Sequence, residues 1–171
     1  MNRVAVFPGS FDPLTRGHES IIIRSLPLFS KVIVAIGENS GKRSYFSLEQ
    51  RITWLKQVFQ GEERVVVESY SGLTVDFCQR TGAQYILRGL RTSADFEFER
   101  GIGQINRLMY PEIETVFLLT LPEYTSLSSS IVRDIIMNGG EVRQFIPESI
   151  YPLPSSQRGD SGKGVSFKPK L

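Results

Sequence analysis

Apolar residues recur along this chain in two alternating rhythms. Short, nearly unbroken runs at Arg3–Phe7, Lys31–Ile36, Arg64–Ser69, Tyr85–Leu87 and Thr115–Thr120 read as strands covered on both faces, because such strands have no solvent side to alternate toward. Between them the spacing becomes helical. Gly17–Phe29 carries apolar residues at 21, 22, 23, 26, 28 and 29, and Ser47-Leu48-Glu49-Gln50 opens a second helix as a capping box. A short helix over Thr74–Thr81 ends at Gly82, another over Asp95–Met109 is stopped by Pro111, and Ser128–Asn138 ends at Gly139-Gly140. Strands alternating with helices predict an α/β fold, an open five-stranded parallel sheet with helices on both faces, formed by residues 1–151. From Pro152 the periodicity gives way to Pro, Ser, Gly and Lys, so 152–171 reads as a C-terminal tail. Its few apolar groups (Leu153, Val165, Phe167 and Leu171) predict order only where the tail docks on the body or on a neighbouring subunit.

Composition narrows the class. A chain of 171 residues, 40% hydrophobic and 22% charged, fits one domain with its own core. No run approaches a membrane span, and Met1–Phe7 is too short and too soon polar for a signal peptide, which makes the cytoplasm the expected compartment and a membrane an excluded partner. Cys78 is the one cysteine and His18 the one histidine, too few for a disulfide or a zinc site, and Cys78 reads as a small buried helix residue. The net charge of +2 comes from the tail. Residues 155–171 hold four cations and Asp160, and without them 16 basic groups face 17 acidic ones. That body has no basic face for a nucleic acid, so any phosphate recognition falls to a few placed cations.

Three polar clusters follow strand ends, where open parallel sheets bind ligands. After the first strand, Pro8-Gly9-Ser10-Phe11-Asp12-Pro13 leads into Thr15-Arg16-Gly17-His18 at a helix start, where free N–H groups and the helix dipole favour an anion. After the fourth, Arg88-Gly89-Leu90-Arg91 precedes Asp95 and Glu99, and a guanidinium fork matches phosphate oxygens. After the fifth, Tyr124-Thr125-Ser126-Leu127-Ser128-Ser129-Ser130 with Arg133 suggests a polyphosphate cradle of hydroxyls and N–H groups. Lys42 adds a possible fourth element. Its loop is not a P-loop, since Ile36 falls where the first glycine is needed and Arg43 where Ser or Thr would bind Mg²⁺, and no G-x-G-x-x-G follows the first strand.

Thr15-x-Gly17-His18 paired with Ser128-Ser129-Ser130-x-x-Arg133 resembles the two signatures of the nucleotidyltransferase superfamily. Phe7–Pro13, Ser71-Gly72-Leu73-Thr74, Arg88–Arg91, Asp95–Glu99 and Asn106-Arg107 narrow the likeness, and residues 1–150 closely resemble the bacterial phosphopantetheine adenylyltransferase family. Ser10 stands where Thr is common, and Tyr124 where some members have Trp. The resemblance implies transfer of an adenylyl group from ATP to 4′-phosphopantetheine, giving dephospho-coenzyme A and pyrophosphate, with Mg²⁺ on the triphosphate. It implies coenzyme A as a feedback ligand and a homohexamer. It makes His18 the transition-state stabiliser and gives ATP the residues Ser10, Phe11, His18, Gly89, Leu90, Arg91, Glu99, Tyr124, Thr125, Ser126, Leu127, Ser128, Ser129 and Ser130. The acceptor takes Ser10, Lys42, Thr74 and Arg88, so that each substrate has one arginine of the Arg88–Arg91 block. Two rivals are a relative that forms NAD or a CDP-alcohol, which would lack the Arg88–Glu99 block, and a non-catalytic coenzyme A sensor. A tRNA synthetase would need a tRNA-binding domain for which the chain has no room.

Overall fold

The structure, a computed structural model, describes residues 3–38 and 44–153; Lys42 and residues 154–171 of the tail lie outside the described residues. Five strands, β1 (Val4–Gly9), β2 (Lys31–Glu38), β3 (Val65–Ser71), β4 (Tyr85–Leu90) and β5 (Glu114–Leu119), form one parallel sheet in the order β3-β2-β1-β4-β5. The helices between them are α1 (Arg16–Ser25), α2 (Leu48–Val58), α3 (Thr74–Thr81), α4 (Ser93–Met109) and α5 (Ser129–Met137). The open α/β sheet follows from the pattern. Alternate residues of one strand serve opposite faces. Ala5, Phe7, Val32, Val34 and Leu87 join Ile22, Leu55 and Val132 in one core, whereas Val4, Val6, Ile33 and Ile86 join Val75, Phe77 and Cys78 in the other. Each fully buried Ile or Leu contributes about 1.5–3 kcal/mol, so both faces must be covered.

The helix ends follow their caps. Ser47 accepts the Gln50 N–H at 3.1 Å to open α2, Thr92 accepts the Asp95 N–H at 3.2 Å to open α4, and Gly82 ends α3 in the left-handed region at φ 67°. One boundary departs from expectation in a way that bears on function. Strand β4 does not stop at Leu87 but carries Arg88 and Gly89 within it, paired with Phe117 and Leu118 of β5. The Arg88 backbone is therefore fixed by a ladder rather than by a loop.

Sheet order reverses at β1, with β2 and β3 on one side and β4 and β5 on the other. Register shows what happens there. The β1–β2 ladder runs from Val4↔Lys31 to Gly9↔Ile36, whereas β1 meets β4 only at Ala5↔Tyr85 and Val6↔Ile86. Past Val6 the two central strands splay, and a crevice opens at the carboxyl end of the sheet.

Cys78 is buried, as its place in the α3 pattern predicts, and burial pushes its thiol up to about 12. It is expected to resist a disulfide reagent in the folded protein near neutral pH and to react freely once the chain is unfolded. Rapid stoichiometric labelling of the native protein would overturn this packing.

Candidate active site

The end of β1 and the loop to α1 line the crevice, and their carbonyls are taken by side chains from three other elements. Arg88 Nη1 of β4 donates to Pro8 O at 2.8 Å, filling the gap where the β1–β4 ladder ends. Arg51 Nη1 of α2 donates to Ser10 O at 2.7 Å, Arg133 Nη1 of α5 to Asp12 O at 2.6 Å, and Ser129 Oγ to Pro13 O at 2.8 Å. The Asp12 carboxylate accepts the Tyr45 N–H at 2.7 Å and the Phe46 N–H at 2.9 Å, tying the loop to the entry of α2. Phe11 is held at φ 46°, a backbone region that non-glycine residues seldom occupy. A Cβ at Gly9 would lie 2.9 Å from the Phe11 ring, so the glycine is required by this close approach.

His18 stands at the third position of α1 in a reciprocal cap. Thr15 Oγ1 accepts the His18 N–H at 3.4 Å, and the Thr15 N–H donates to His18 Nδ1 at 3.1 Å. A backbone N–H can only donate, so Nδ1 is an acceptor and the ring proton is on Nε2. Burial, then the Arg91 and Arg88 guanidinium groups, lowers the His18 pKa from 6.5 to about 4. The ring is thus a neutral donor, braced edge-on by Phe11 with centroids 5.2 Å apart.

Two cavities meet at the crevice. One, about 310 Å³, is bordered by Ser10, Phe11, His18, Gly89, Arg91, Glu99, Tyr124, Leu127, Ser128 and Ser129, together with Asp95 and Thr120. The other, about 260 Å³, runs between β4 and α4 and is bordered by Gly37, Tyr70, Thr74, Ile102, Gly103 and Asn106. Pro8, Gly9, Arg88 and Glu99 border both. Their common wall is an ion pair, with Arg88 Nε donating to Glu99 Oε2 at 2.7 Å and Nη2 donating to Oε1. Arg91 borders only the His18 cavity, where its Nε and Nη2 grip the Asp95 carboxylate at 3.1 and 3.2 Å. Burial opposes ionisation of Asp95, but the bonds from Arg91 hold its carboxyl below the usual range.

The structure sorts the residues expected from sequence. Ten of those assigned to ATP border the His18 cavity. Leu90, Thr125, Ser126 and Ser130 do not. Leu90 is 6% exposed and packs inward, and Ser130 Oγ instead accepts from Arg133 Nη2 at 3.1 Å. Within the protein, Ser128 caps α5 by accepting the Ile131 N–H and Ser129 Oγ donates to Pro13 O, and both serines border the His18 cavity. Arg133 donates to Asp12 O and borders neither cavity. Of the acceptor set, Thr74 and Arg88 meet in the second cavity, Ser10 borders the first, and Lys42 lies outside the described residues.

Sequence reading missed the rest of the second cavity. Tyr70, whose hydroxyl lies 2.7 Å from Thr74 Oγ1, falls just past the run Arg64–Ser69 read as the third strand. Gly103 carried a signal, because glycine inside a helix costs about 1 kcal/mol relative to alanine and needs a reason. Here a Cβ would sit 3.1 Å from Thr115 Oγ1, and the gap it leaves borders the cavity.

Residues 6–135 match the cytidylyltransferase-like family. The chain is 54% identical over 148 residues to a phosphopantetheine adenylyltransferase of Flavobacterium psychrophilum, covering 86% of this chain and 97% of that one. It is 46% identical over 150 residues to the enzyme of the same name from Cytophaga hutchinsonii, covering 88% and 100%. Among solved structures, a putative nicotinate-nucleotide adenylyltransferase from Vibrio parahaemolyticus superposes with a TM-score of 0.65 at 16% identity, covering 87% of this chain and 90% of that one. That likeness is one of fold alone. Sequence identity carried across nearly the whole length of such relatives shows that this chain belongs to the phosphopantetheine adenylyltransferase family of cytidylyltransferase-like proteins.

Proposed function

We propose that the protein transfers the adenylyl group of ATP to 4′-phosphopantetheine, forming dephospho-coenzyme A and releasing pyrophosphate in coenzyme A biosynthesis. The observation that carries the reading at this site is the pair of cavities sharing the Arg88–Glu99 wall, which lets two substrates meet end to end. ATP occupies the His18 cavity, its phosphates near the first turns of α1 and α5. The acceptor occupies the cavity with Thr74 and Asn106, where Gly37 and Gly103 leave a slim passage for its arm.

An acceptor phosphate oxygen attacks the α-phosphorus in line as the bond to the β-phosphate oxygen breaks, and pyrophosphate leaves with that electron pair. A phosphate monoester carries about −1.5 to −2 charges at pH 7, so the nucleophile is already ionised and needs no general base. Catalysis then reduces to positioning and charge stabilisation. His18 donates its Nε2 proton as a hydrogen bond to an α-phosphoryl oxygen and retains it. Arg91 draws negative charge on the ATP side, and Arg88 lies within reach of phosphates on either side of the wall.

Mg²⁺ accompanies ATP. Asp95 and Glu99, the carboxylates bordering the His18 cavity, are already gripped by Arg91 and Arg88, a donor set that fits an ion carried on phosphate oxygens and water. Bound so, Mg²⁺ would neutralise charge on the departing pyrophosphate. Coenzyme A bears the same pantetheine arm as the acceptor and so competes for its cavity as a feedback ligand. We place the enzyme in the cytoplasm, where ATP is abundant; none of the described helices is long and apolar enough to cross a membrane. A homohexamer is supported by α4, a helix of 17 residues with none buried in the single chain, whose Phe98, Ile102, Ile105 and Met109 form one exposed apolar stripe.

Pyrophosphate release from ATP is expected with 4′-phosphopantetheine and not with nicotinate mononucleotide or glycerol phosphate; the reverse preference would assign the chain a different acceptor. In that assay Arg91→Ala is expected to raise the ATP KM or lower kcat with little change in the acceptor KM. Arg88→Ala should weaken use of both substrates, each lost charge-assisted contact costing about 1.5–3 kcal/mol. An Arg88 defect confined to one substrate would contradict the shared wall.

His18→Ala should fold normally and lose about 100- to 1,000-fold in kcat, with substrate KM values changed far less. Nitrogen NMR of the free enzyme should show the Nε2–H tautomer and a titration midpoint near 4 rather than 6.5. Because folding lowers this pKa, the stability it contributes is complete above 6.5 and is lost as pH falls through 6.5 toward 4. A midpoint at 6.5 or higher would remove the neutral-donor role.

Ile105→Asp with Met109→Asp is expected to shift the sedimentation boundary from a hexamer to smaller species. An unchanged boundary would move the subunit contact away from α4.

A further inference from the structure

Arg51 has so far only been named as a donor to the loop, yet its position is hard to explain by packing alone. It lies on α2, is 6% exposed and borders neither cavity. Its Nη1 donates to Ser10 O at 2.7 Å and its Nε to Ser47 O at 3.3 Å. Burial lowers its pKa, while the nearby carboxylates of Asp12 and Glu38 act to raise it. Methionine would fill the same space without desolvating a charge, so packing supplies no reason for a guanidinium here.

The Ser10–Phe11 peptide does supply one. It is trans, so the Phe11 N–H points opposite to the Ser10 carbonyl and away from α2. Holding that carbonyl fixes the peptide plane from which Phe11 continues at its positive φ. Phe11 in turn sets its ring edge-on against His18, 5.2 Å between centroids, and the ring leaves no room for a Cβ at Gly9. The Ser10 position and the Phe11 amide are therefore tied to one carbonyl, and through the Phe11 ring it bears on His18, whose Nδ1 the Thr15 cap holds.

We propose that Arg51 is a positioning residue for adenylyl transfer: through the Ser10 carbonyl it holds the Ser10–Phe11 peptide and the Phe11 ring in the arrangement that aims His18 at the nucleotide. The proposal rests on the His18 cavity being the nucleotide site. A guanidinium does this better than an ammonium because its planar fork spans Ser10 O and Ser47 O together.

The test is steady-state pyrophosphate release by the full chain carrying Arg51→Ala, read beside its melting temperature. Misplacement of a reacting group by about 1 Å costs on the order of 100-fold, and kcat is expected to fall by that factor while both KM values move less than about threefold. Ethylguanidinium should restore about tenfold of the lost kcat by refilling the site. A kcat near wild type would overturn the proposal, as would a lost kcat that ethylguanidinium fails to restore. If Arg51→Ala does not fold, Arg51→Lys decides: a loss of about tenfold at an unchanged melting temperature supports it, and wild-type kcat overturns it. The shift of the Phe11 amide resonance on adding ATP gives a reading that needs no acceptor. It should shrink in Arg51→Lys, and an undiminished shift counts against Arg51. Failure of the wild-type enzyme to use phosphopantetheine would instead sink the assigned reaction.

Discussion

The site depends on one interruption in a hydrogen-bond ladder. Strands β1 and β4 pair at Ala5 and Val6 and then part, although each remains paired with its outer neighbour to the end. A parallel ladder broken at the centre of a sheet leaves carbonyls that must find other partners. Here they find guanidinium groups. Arg88 takes Pro8 O across the split, and farther along the loop Arg51 and Arg133 take Ser10 O and Asp12 O. The cations that satisfy the loop also give its surroundings a positive field suited to polyphosphate.

That economy explains why the charge of the chain looked uninformative. Counted by composition, the body is nearly neutral. Counted by position, Arg88 and Arg91 converge on His18 from one strand end and both act against its protonation. Each is oriented by a carboxylate, Glu99 for Arg88 and Asp95 for Arg91, so the forks are presented in set directions rather than left mobile. A half-buried pair of this kind adds little to stability, and its consequence is geometric.

The histidine shows the same coupling between local structure and chemistry. A capped helix start and a catalytic imidazole are alternatives when read from Thr15-Arg16-Gly17-His18, yet the fold makes them one device. The cap engages Nδ1, which leaves Nε2 as the donor, and burial keeps the ring neutral. A ring charged at neutral pH would bind phosphate more strongly in the ground state and gain less in the transition state.

The sequence by itself determined the element order, the parallel sheet covered on two faces, the buried Cys78 and the strand ends where the chemistry gathers. These follow from periodicity and caps, which act over a few residues. The motifs at Thr15–His18 and Arg88–Glu99 likewise pointed to a phosphate site and to the family. Only the tertiary structure decided what each polar side chain does. Ser128, Ser129, Ser130 and Arg133 are polar and adjacent in sequence, but only the fold gives them partners that include Ile131 N–H, Pro13 O and Asp12 O, the last two more than a hundred residues away. Nothing in its local pattern marks Arg51, because the loop carbonyl it serves lies 41 residues away. A hydrogen bond is set by distance and direction in space, and a one-dimensional pattern of residue types carries neither.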